Sequence, residues 1–213
     1  METCQVWGLA RSYKPMNKTP SLYPGNFYHI YNRGNNRENI FIEERNYSYF
    51  LALYARYIEP IAKTFAYCLL RNHFHFLVRL RNTDEYLKPT LPNKQPSQYF
   101  SNFFNAYART INLTYGRTGA LFQRPFGRIL VSSQGHLYHL VRYIHQNPAK
   151  HGFVEDYRSW PYSSYRALVS EKPTELEREE VLSWFGGVAR LDEGHRYKAP
   201  EDEISYLIAE DCD

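Results

Sequence analysis

The chain has 213 residues, a formal net charge of +4, and an aromatic content of 17% that includes 20 tyrosines. It lacks any run of 18 apolar residues, which argues against a transmembrane helix, and its three widely spaced cysteines exclude a disulfide framework and favour a reducing compartment. Residues 171–213 hold 5 basic and 13 acidic residues, so residues 1–170 hold 21 basic and 9 acidic ones. The basic part of the chain favours a polyanionic partner such as nucleic acid.

The first predicted elements are a polar arm, a strand and a helix. Residues 1–21 are polar and contain prolines, which is typical of a loose arm. Asn26 to Arg33 alternates apolar and polar residues and predicts a strand, which turn residues end. Glu43 to about Tyr57 carries apolar residues at helical spacing and predicts a helix that Pro60 stops.

Two apolar strands follow, joined at Arg71-Asn72. They are predicted over Ile61–Leu70 and His73–Leu80, and a polar, proline-rich loop follows them. Strand side chains alternate faces, so His73 and His75 project from the same face. Two neutral imidazoles side by side on a rigid strand form half of a metal site.

The second half of the chain is predicted to be mainly helical. In chain order we expect a helix over Ser97–Thr114, an irregular strand or hairpin over Leu121–Val131, a helix from Ser132 or Ser133 to about Asn147 that Pro148 ends, a turn and short helix over Tyr157–Leu168, and an acidic helix over Thr174–Phe185 followed by an acidic terminus.

This order of elements predicts the fold class and the domains. Strand, helix, two strands, helix, strand and helix favour an α+β fold with a ferredoxin-like or RRM-like antiparallel sheet and helices packed on one face. Such a sheet leaves one broad face for a ligand. We divide the chain into an arm (1–21), a catalytic or binding domain (22–170) and an acidic C-terminal helix and tail (171–213).

The helix before Pro148 offers side chains that complete the histidine pair. Tyr143 and Asn147 are four residues apart and share a helical face. If that face lies against the strand of His73 and His75, the site gains an amide oxygen ligand and a phenol nucleophile. Gln146, about 60° away around the helix, is the second candidate for the third ligand.

Four separated segments resemble one family. They are Leu70–Leu77 with its His-hydrophobic-His motif, Tyr28–Asn35, Arg142–Gly152 and Tyr157–Tyr165. Together they resemble the single-tyrosine HUH transposases, in particular the REP-associated tyrosine transposase (RAYT) branch. The resemblance spans roughly residues 22–186, with the motifs in the family's order and spacing.

The resemblance implies an activity, a cofactor and a partner. It implies a transposase that cuts and rejoins single-stranded DNA beside a hairpin, such as a REP-like element or a transposon end, through a 5′-phosphotyrosine link. Carried over by motif, His73, His75 and Asn147 are the ligands of Mg²⁺ or Mn²⁺, and Tyr143 is the nucleophile. Many relatives have Gln where this chain has Asn147. The resemblance also implies a bacterial, cytoplasmic, nucleoid-associated protein, either a monomer or a homodimer with its tyrosine acting in cis or in trans.

Basic residues and the acidic terminus suggest how DNA binding is achieved and regulated. Phosphate contacts are predicted for Arg33, Arg71, Arg124, Arg128 and Arg142. Residues 171–213 either form a solvated tail or fold over the basic face and compete with DNA. The alternative functions are a non-catalytic module that binds single-stranded nucleic acid on the same fold and a metal-dependent phosphodiesterase that uses water. RNA stays open as a substrate, and so does the general base.

Overall fold

The computed structural model describes residues 20–87, 94–198 and 204–205. Its strands are β1 (Phe27–Arg33), β2 (Ala62–Leu69), β3 (His73–Leu80) and β4 (Gly127–Val131). Its helices are α1 (Glu44–Tyr57), α2 (Pro96–Thr114), α3 (Gln134–Lys150), α4 (Tyr165–Val169), α5 (Arg178–Phe185) and α6 (Val188–His195). Nearly all of the predicted arm, and residues 88–93 of the predicted loop, lie outside the described residues.

The four strands form one antiparallel sheet in the order β2-β3-β1-β4. β3 and β1 are the inner strands, and their register places Tyr31 opposite His75 and Arg33 opposite His73. The predicted α+β class and the antiparallel sheet are confirmed. The inner position of β3 holds the two histidines on backbone that is hydrogen-bonded on both sides.

Helices cover both faces of the sheet. Phe74 and Phe76 of β3 pack with α1 and α2 in one aromatic core, whereas Leu77 and Ala66 project to the other face and pack with α3, α5 and α6. The broad open face that the sequence predicted is therefore largely covered. The physical reason is that this second face is itself apolar beside the histidines and has to be removed from water.

The segment after α3 covers the outer edge of β2. The Leu69 amide donates to the Tyr162 carbonyl at 2.9 Å, and the Ser164 amide donates to the Tyr67 carbonyl at 2.9 Å. The Trp160 indole donates to the Leu69 carbonyl at 2.9 Å. These contacts satisfy backbone groups that an exposed edge strand would leave unpaired. The predicted turn and short helix are confirmed as this segment and α4.

Helix α3 carries the candidate nucleophile and is capped as predicted. The Ser133 side chain accepts a hydrogen bond from the His136 amide. The prediction that Pro148 ends the helix is wrong, since α3 continues to Lys150. A proline in the last turn removes a single backbone hydrogen bond and already has a helical φ, so the helix continues for two more residues.

The acidic C-terminal segment contains one helix that the sequence did not reveal. Helix α5 begins four residues later than predicted and ends at Gly186, whose φ is 79°. Helix α6 follows directly, and its Leu191 is buried in the same cluster as Val141 of α3. Residues 199–203 and 206–213, which hold the most acidic part of the tail, lie outside the described residues, so the predicted competition with DNA stays a prediction. No helix among the described residues is long and apolar enough to cross a membrane.

A buried chain of hydrogen bonds joins α6, α3 and Ser164, the residue before α4. His195 Nδ1 lies 2.8 Å from the Leu191 carbonyl, which can only accept, so this nitrogen carries the proton. His195 Nε2 therefore accepts from His145 Nδ1 at 2.8 Å, and His145 Nε2 accepts from the Ser164 hydroxyl at 2.7 Å. With this arrangement of protons, all three hydrogen bonds form while both imidazoles are neutral.

We expect this network to make the protein sensitive to acid. Burial lowers the pKa of His195 to about 4, below its ordinary 6.5, and burial beside His195 lowers the pKa of His145. Because the folded pKa is depressed, the stability is complete above about pH 6.5 and is lost as the pH falls towards 4. His195 alone should reduce the free energy of unfolding by about 2 kcal/mol between pH 7 and pH 5.

Urea unfolding of the wild type and of His195→Gln at both pH values measures this effect. The variant should lose about 2 kcal/mol less than the wild type between pH 7 and pH 5. The control is His136→Gln, because His136 is only half-buried on the same helix α3, and it should keep the wild-type dependence. An unchanged dependence in His195→Gln would show that His195 is not held neutral.

Candidate active site

His73 and His75 are buried on the face of β3 that points to α3. Their side chains are 4% and 1% exposed. The ring centroids are 5.2 Å apart and the ring planes are nearly perpendicular, at 88°. The alternation that the sequence predicted is confirmed, because the intervening Phe74 and the following Phe76 are buried in the opposite core.

A neighbouring side chain holds each imidazole through its Nδ1 atom. His73 Nδ1 lies 2.7 Å from Asn72 Oδ1, which accepts, so the proton of His73 is on Nδ1. His75 Nδ1 lies 3.1 Å from His29 Nε2 on β1. When His75 donates this bond, the Nε2 atoms of both rings are the basic nitrogens. Such outer contacts are what fix the tautomer and orientation of metal-binding histidines.

The electrostatic surroundings keep both rings neutral at neutral pH. Burial lowers the pKa of His73 to about 2 and the pKa of His75 to about 3. The nearby charges of His151 and Arg33 act in the same direction. Neutral imidazole is the form that binds a metal cation, so no proton has to be displaced first.

Helix α3 places Tyr143 and Asn147 against the histidines of the same chain. The Tyr143 ring centroid is 5.7 Å from that of His75, and Asn147 is fully buried one turn later. Asn147 Nδ2 donates to the Tyr143 carbonyl at 3.0 Å, which fixes the amide and leaves Oδ1 as its buried acceptor atom. The predicted juxtaposition of this helix face with the histidine strand is therefore observed.

His73, Tyr143 and Asn147 each have a buried atom that lacks a hydrogen-bond partner within the described part of the chain. These atoms are His73 Nε2, Tyr143 Oη and Asn147 Oδ1. The Asn147 amide lies close enough to His73 to influence the pKa of that ring. Asn147 Oδ1 and His73 Nε2 nevertheless do not form a hydrogen bond of normal geometry. Burying such groups unpaired costs free energy, and a shared ligand would offset that cost.

The donor set fits a divalent cation. Two imidazole nitrogens and one amide oxygen suit a cation of borderline hardness, with open positions for further oxygens. Among the described residues, no group of three or more His, Cys, Asp or Glu side chains is arranged to hold a metal. The candidate for a third protein ligand beside the two histidines is therefore the amide of Asn147.

Gln146 is directed away from the site. Its Nε2 donates to the His195 carbonyl at 2.8 Å and to the Tyr197 carbonyl at 2.6 Å. The structure thus brings Asn147, and not Gln146, to the histidines, as the shared helical face of Tyr143 and Asn147 predicts.

Arg142, one of the five predicted DNA contacts, has its hydrogen-bond partners within the protein. The Arg142 side chain is buried, and its Nη2 donates to the carbonyls of Tyr197 and Lys198 at 2.7 Å each. Its guanidinium is used to hold the segment after α6 against α3. The spacing along the helix gave no sign of this, because the partner segment comes from residues 55 and 56 positions later.

The histidines open onto a cavity of about 290 Å³. Arg33 lines it together with His73 and His75, so this predicted DNA contact lies at the site. Tyr31 also lines it, and its ring lies where a Cβ on Gly127 would be, 2.1 Å from two ring atoms. Gly127 therefore lets Tyr31 lie flat over β4 at the entrance. Arg124 and Arg128 line an adjoining cavity, whereas Arg71 is exposed in the turn before β3.

The sequence did not identify several neighbours of the site. His151 packs edge-on to His73 with ring centroids 4.9 Å apart, and the Lys150 ammonium lies 5.0 Å from the centre of the Tyr143 ring. Lys150 is seven residues after Tyr143, two turns along the same helix, so helical spacing would have found it. The helix was predicted to end at Pro148, so Lys150 was not placed on the same helix as Tyr143.

These elements define a class of protein. Its members have an α+β fold with an antiparallel sheet, a histidine pair on an inner strand and a tyrosine on the facing helix. Comparison with known proteins agrees. A Haemophilus influenzae protein, named as a candidate REP-associated tyrosine transposase, is 33% identical over 110 residues, which cover 48% of this chain and 58% of that protein. A solved REP-associated tyrosine transposase bound to a REP hairpin matches 71% of this chain and 84% of that one, with a TM-score of 0.55 and 17% identity.

These matches confirm the resemblance to the REP-associated tyrosine transposases in sequence and the shared fold. The chain spans 58% of the length of the curated relative that it matches. In a scan of protein-family models, none matches the chain. The activity of this chain therefore has to be argued from its own site.

Proposed function

We propose that this chain is a metal-dependent transposase or endonuclease that cuts and rejoins single-stranded, hairpin-bearing DNA through a 5′-phosphotyrosine intermediate. The observation that carries the proposal is the convergence of His73 Nε2, Asn147 Oδ1 and Tyr143 Oη, all buried and unpartnered within the described residues. The similarity to REP-associated tyrosine transposases supports it.

Each group has a role in this proposal. His73, His75 and Asn147 would hold Mg²⁺ or Mn²⁺, which when bound withdraws charge from the scissile phosphate and orients it. Tyr143 Oη attacks the phosphorus, the bond to the 3′ oxygen breaks, and the 5′ phosphate is joined to the phenol while a 3′-OH leaves. The phenol gives up its proton to water, and the departing 3′ oxygen takes up a proton from water. Reversal of the same step by another 3′-OH rejoins the strand.

The surrounding side chains assist this chemistry. Arg33 at the cavity wall is positioned to contact the phosphodiester. Lys150, with its ammonium beside the Tyr143 ring, favours a developing phenolate. His29 and Asn72 hold the two imidazoles in the orientation that presents Nε2.

The experiment that tests the function is covalent capture. The full chain is incubated with a labelled hairpin carrying a single-stranded extension, with Mn²⁺ or Mg²⁺, and run on a denaturing gel. A protein–DNA band that resists denaturation supports the proposal. Binding without such a band would instead favour a non-catalytic nucleic-acid module, and cleavage without it would favour a phosphodiesterase that uses water.

The identity of the third ligand can be tested separately. Asn147→Ala should lower Mn²⁺ affinity by about 10²-fold, because it removes the buried amide oxygen of the proposed ligand set, which has no hydrogen-bond partner among the described residues. The matched control is Gln146→Ala, which removes contacts to the carbonyls of His195 and Tyr197 and should leave the affinity unchanged. Titration of Mn²⁺ by calorimetry measures both, and the reverse pattern would assign Gln146 as ligand.

A further inference from the structure

A second cavity adjoins the one over the histidines. It has a volume of about 530 Å³, within the range of ligand-binding pockets (about 300–1,000 Å³). Asn32, Gln123 and Pro125 line both cavities, so the two form one groove. At its inner end lies His73, which is nine-tenths buried and whose Nε2 has no partner among the described residues. The groove thus leads from the proposed scissile phosphate along the protein surface.

One wall of the groove is a single stripe of helix α2. Its positions are spaced by three or four residues and are small or uncharged and polar: Ser97, Ser101, Asn105, Ala108 and Asn112. Phe104 of α2 also lines the cavity, whereas Phe100, Phe103 and Tyr107 of α2 pack in the core. Hydroxyl and amide groups both donate and accept hydrogen bonds, which suits the mixed donors and acceptors on the edges of bases.

The other wall is the chain between Gly119 and Arg128, which supplies the charge. Arg124 and Arg128 line the groove, and Arg124 Nη2 lies 3.5 Å from Asn105 Oδ1 across it. Arg128 lies over the Phe126 ring at 4.8 Å. Cations on one wall and neutral hydrogen-bonding groups on the other match the two sides of a single nucleic-acid strand, its phosphates and its bases.

We infer that this groove holds the single DNA strand next to the scissile phosphate and reads its bases through the polar stripe of α2. This inference rests on the proposed function, since the groove is assigned to the strand that enters the same site. It assigns phosphate contacts to Arg124 and Arg128 and base contacts to Asn105 and its neighbours on the stripe.

Blocking the groove tests the inference. Ser101→Trp fills it, whereas Asn102→Trp, the adjacent exposed position on α2, lies outside it. Both are made in a Tyr143→Phe background, so that affinity is measured without cleavage and without metal. The probes are a labelled DNA hairpin with a single-stranded extension of random sequence and the same hairpin without it.

We expect Ser101→Trp to weaken binding of the extended hairpin by roughly 10-fold or more and to leave the blunt hairpin unaffected. Asn102→Trp should bind both as the parent does. Equal binding of the extended hairpin by the two variants would overturn the inference, and so would equal loss for both probes in Ser101→Trp. Circular dichroism and thermal unfolding show whether each variant is folded.

A milder pair tests base reading even if the tryptophan variant does not fold. The extension is randomised, and bound sequences are selected with Asn105→Ala and with Asn102→Ala. Asn105→Ala should relax a base preference by roughly 10-fold at one or two positions, and Asn102→Ala should not. Identical preferences in both would overturn the assignment of Asn105. Absence of a covalent adduct with the wild type would reject the proposed function but would leave these binding results unaffected.

Discussion

Tyr143→Phe should reduce covalent capture of DNA by at least about 10³-fold, because it removes the atom that forms the bond to phosphorus. The ring itself should stay in place, since it is packed edge-on to His75 and fully buried. Its hydroxyl has no hydrogen-bond partner among the described residues, so its loss breaks no bond that holds the fold. We therefore expect DNA affinity to stay within about twofold of the wild type.

The denaturing gel measures the adduct, and fluorescence anisotropy measures the affinity. The matched control is Tyr138→Phe, which removes the same hydroxyl from the same helix α3, at a position where the ring packs against Phe185. That variant should form the adduct at the wild-type rate. An adduct that persists in Tyr143→Phe would reject Tyr143 as the nucleophile, and its loss in both variants would point to the stability of α3 instead.

The strands and most helices could be predicted because the signals are local. Alternation on β3 places Phe74 and Phe76 in one core and His73 and His75 on the other face, and the sequence shows this directly. The four-residue spacing of Tyr143 and Asn147 likewise needs no knowledge of the fold. Local patterns therefore predict both halves of the candidate site, the strand with the two histidines and the helix with the tyrosine.

The parts that were missed depend on contacts between distant segments. Arg142 has the spacing and charge of a DNA contact, but its partners are carbonyls that follow α6. The pairing of His145 with His195 joins residues 50 positions apart. Helix α6 itself is short and contains Gly194, so it has little helical signal of its own and is stabilised by packing on α3.

The two candidates for the proposed third ligand, Asn147 and Gln146, also differ in a contact between distant segments. Helical spacing favours Asn147 over Gln146 as the third ligand. The sequence alone, however, does not exclude Gln146. The carbonyls of His195 and Tyr197 hold Gln146 on the far side of α3. The C-terminal helices therefore contribute to the site indirectly, by fixing which face of α3 points to the sheet.

The double variant His73→Ala/His75→Ala should abolish cleavage and reduce Mn²⁺ affinity by at least about 10²-fold, because it removes both nitrogen ligands of the proposed metal site. Single-stranded DNA should still bind, since the predicted phosphate contacts Arg33, Arg124 and Arg128 are retained. In the metal-free protein, removal of a buried ring nitrogen that has no partner among the described residues should offset part of the cost of the two cavities that the substitutions leave.

A metal effect on unfolding distinguishes this interpretation from simple loss of structure. A ligand that binds the folded state at 100 times its Kd stabilises it by about 2.7 kcal/mol, so saturating Mn²⁺ should raise the unfolding temperature of the wild type and not that of the double variant. The control is His136→Ala/His139→Ala, which removes two histidines that lie only half-buried on the first turns of α3 and should keep the full shift. If the double variant is still stabilised by Mn²⁺ to the same extent, the metal binds elsewhere, and the unpaired atoms between β3 and α3 need another explanation.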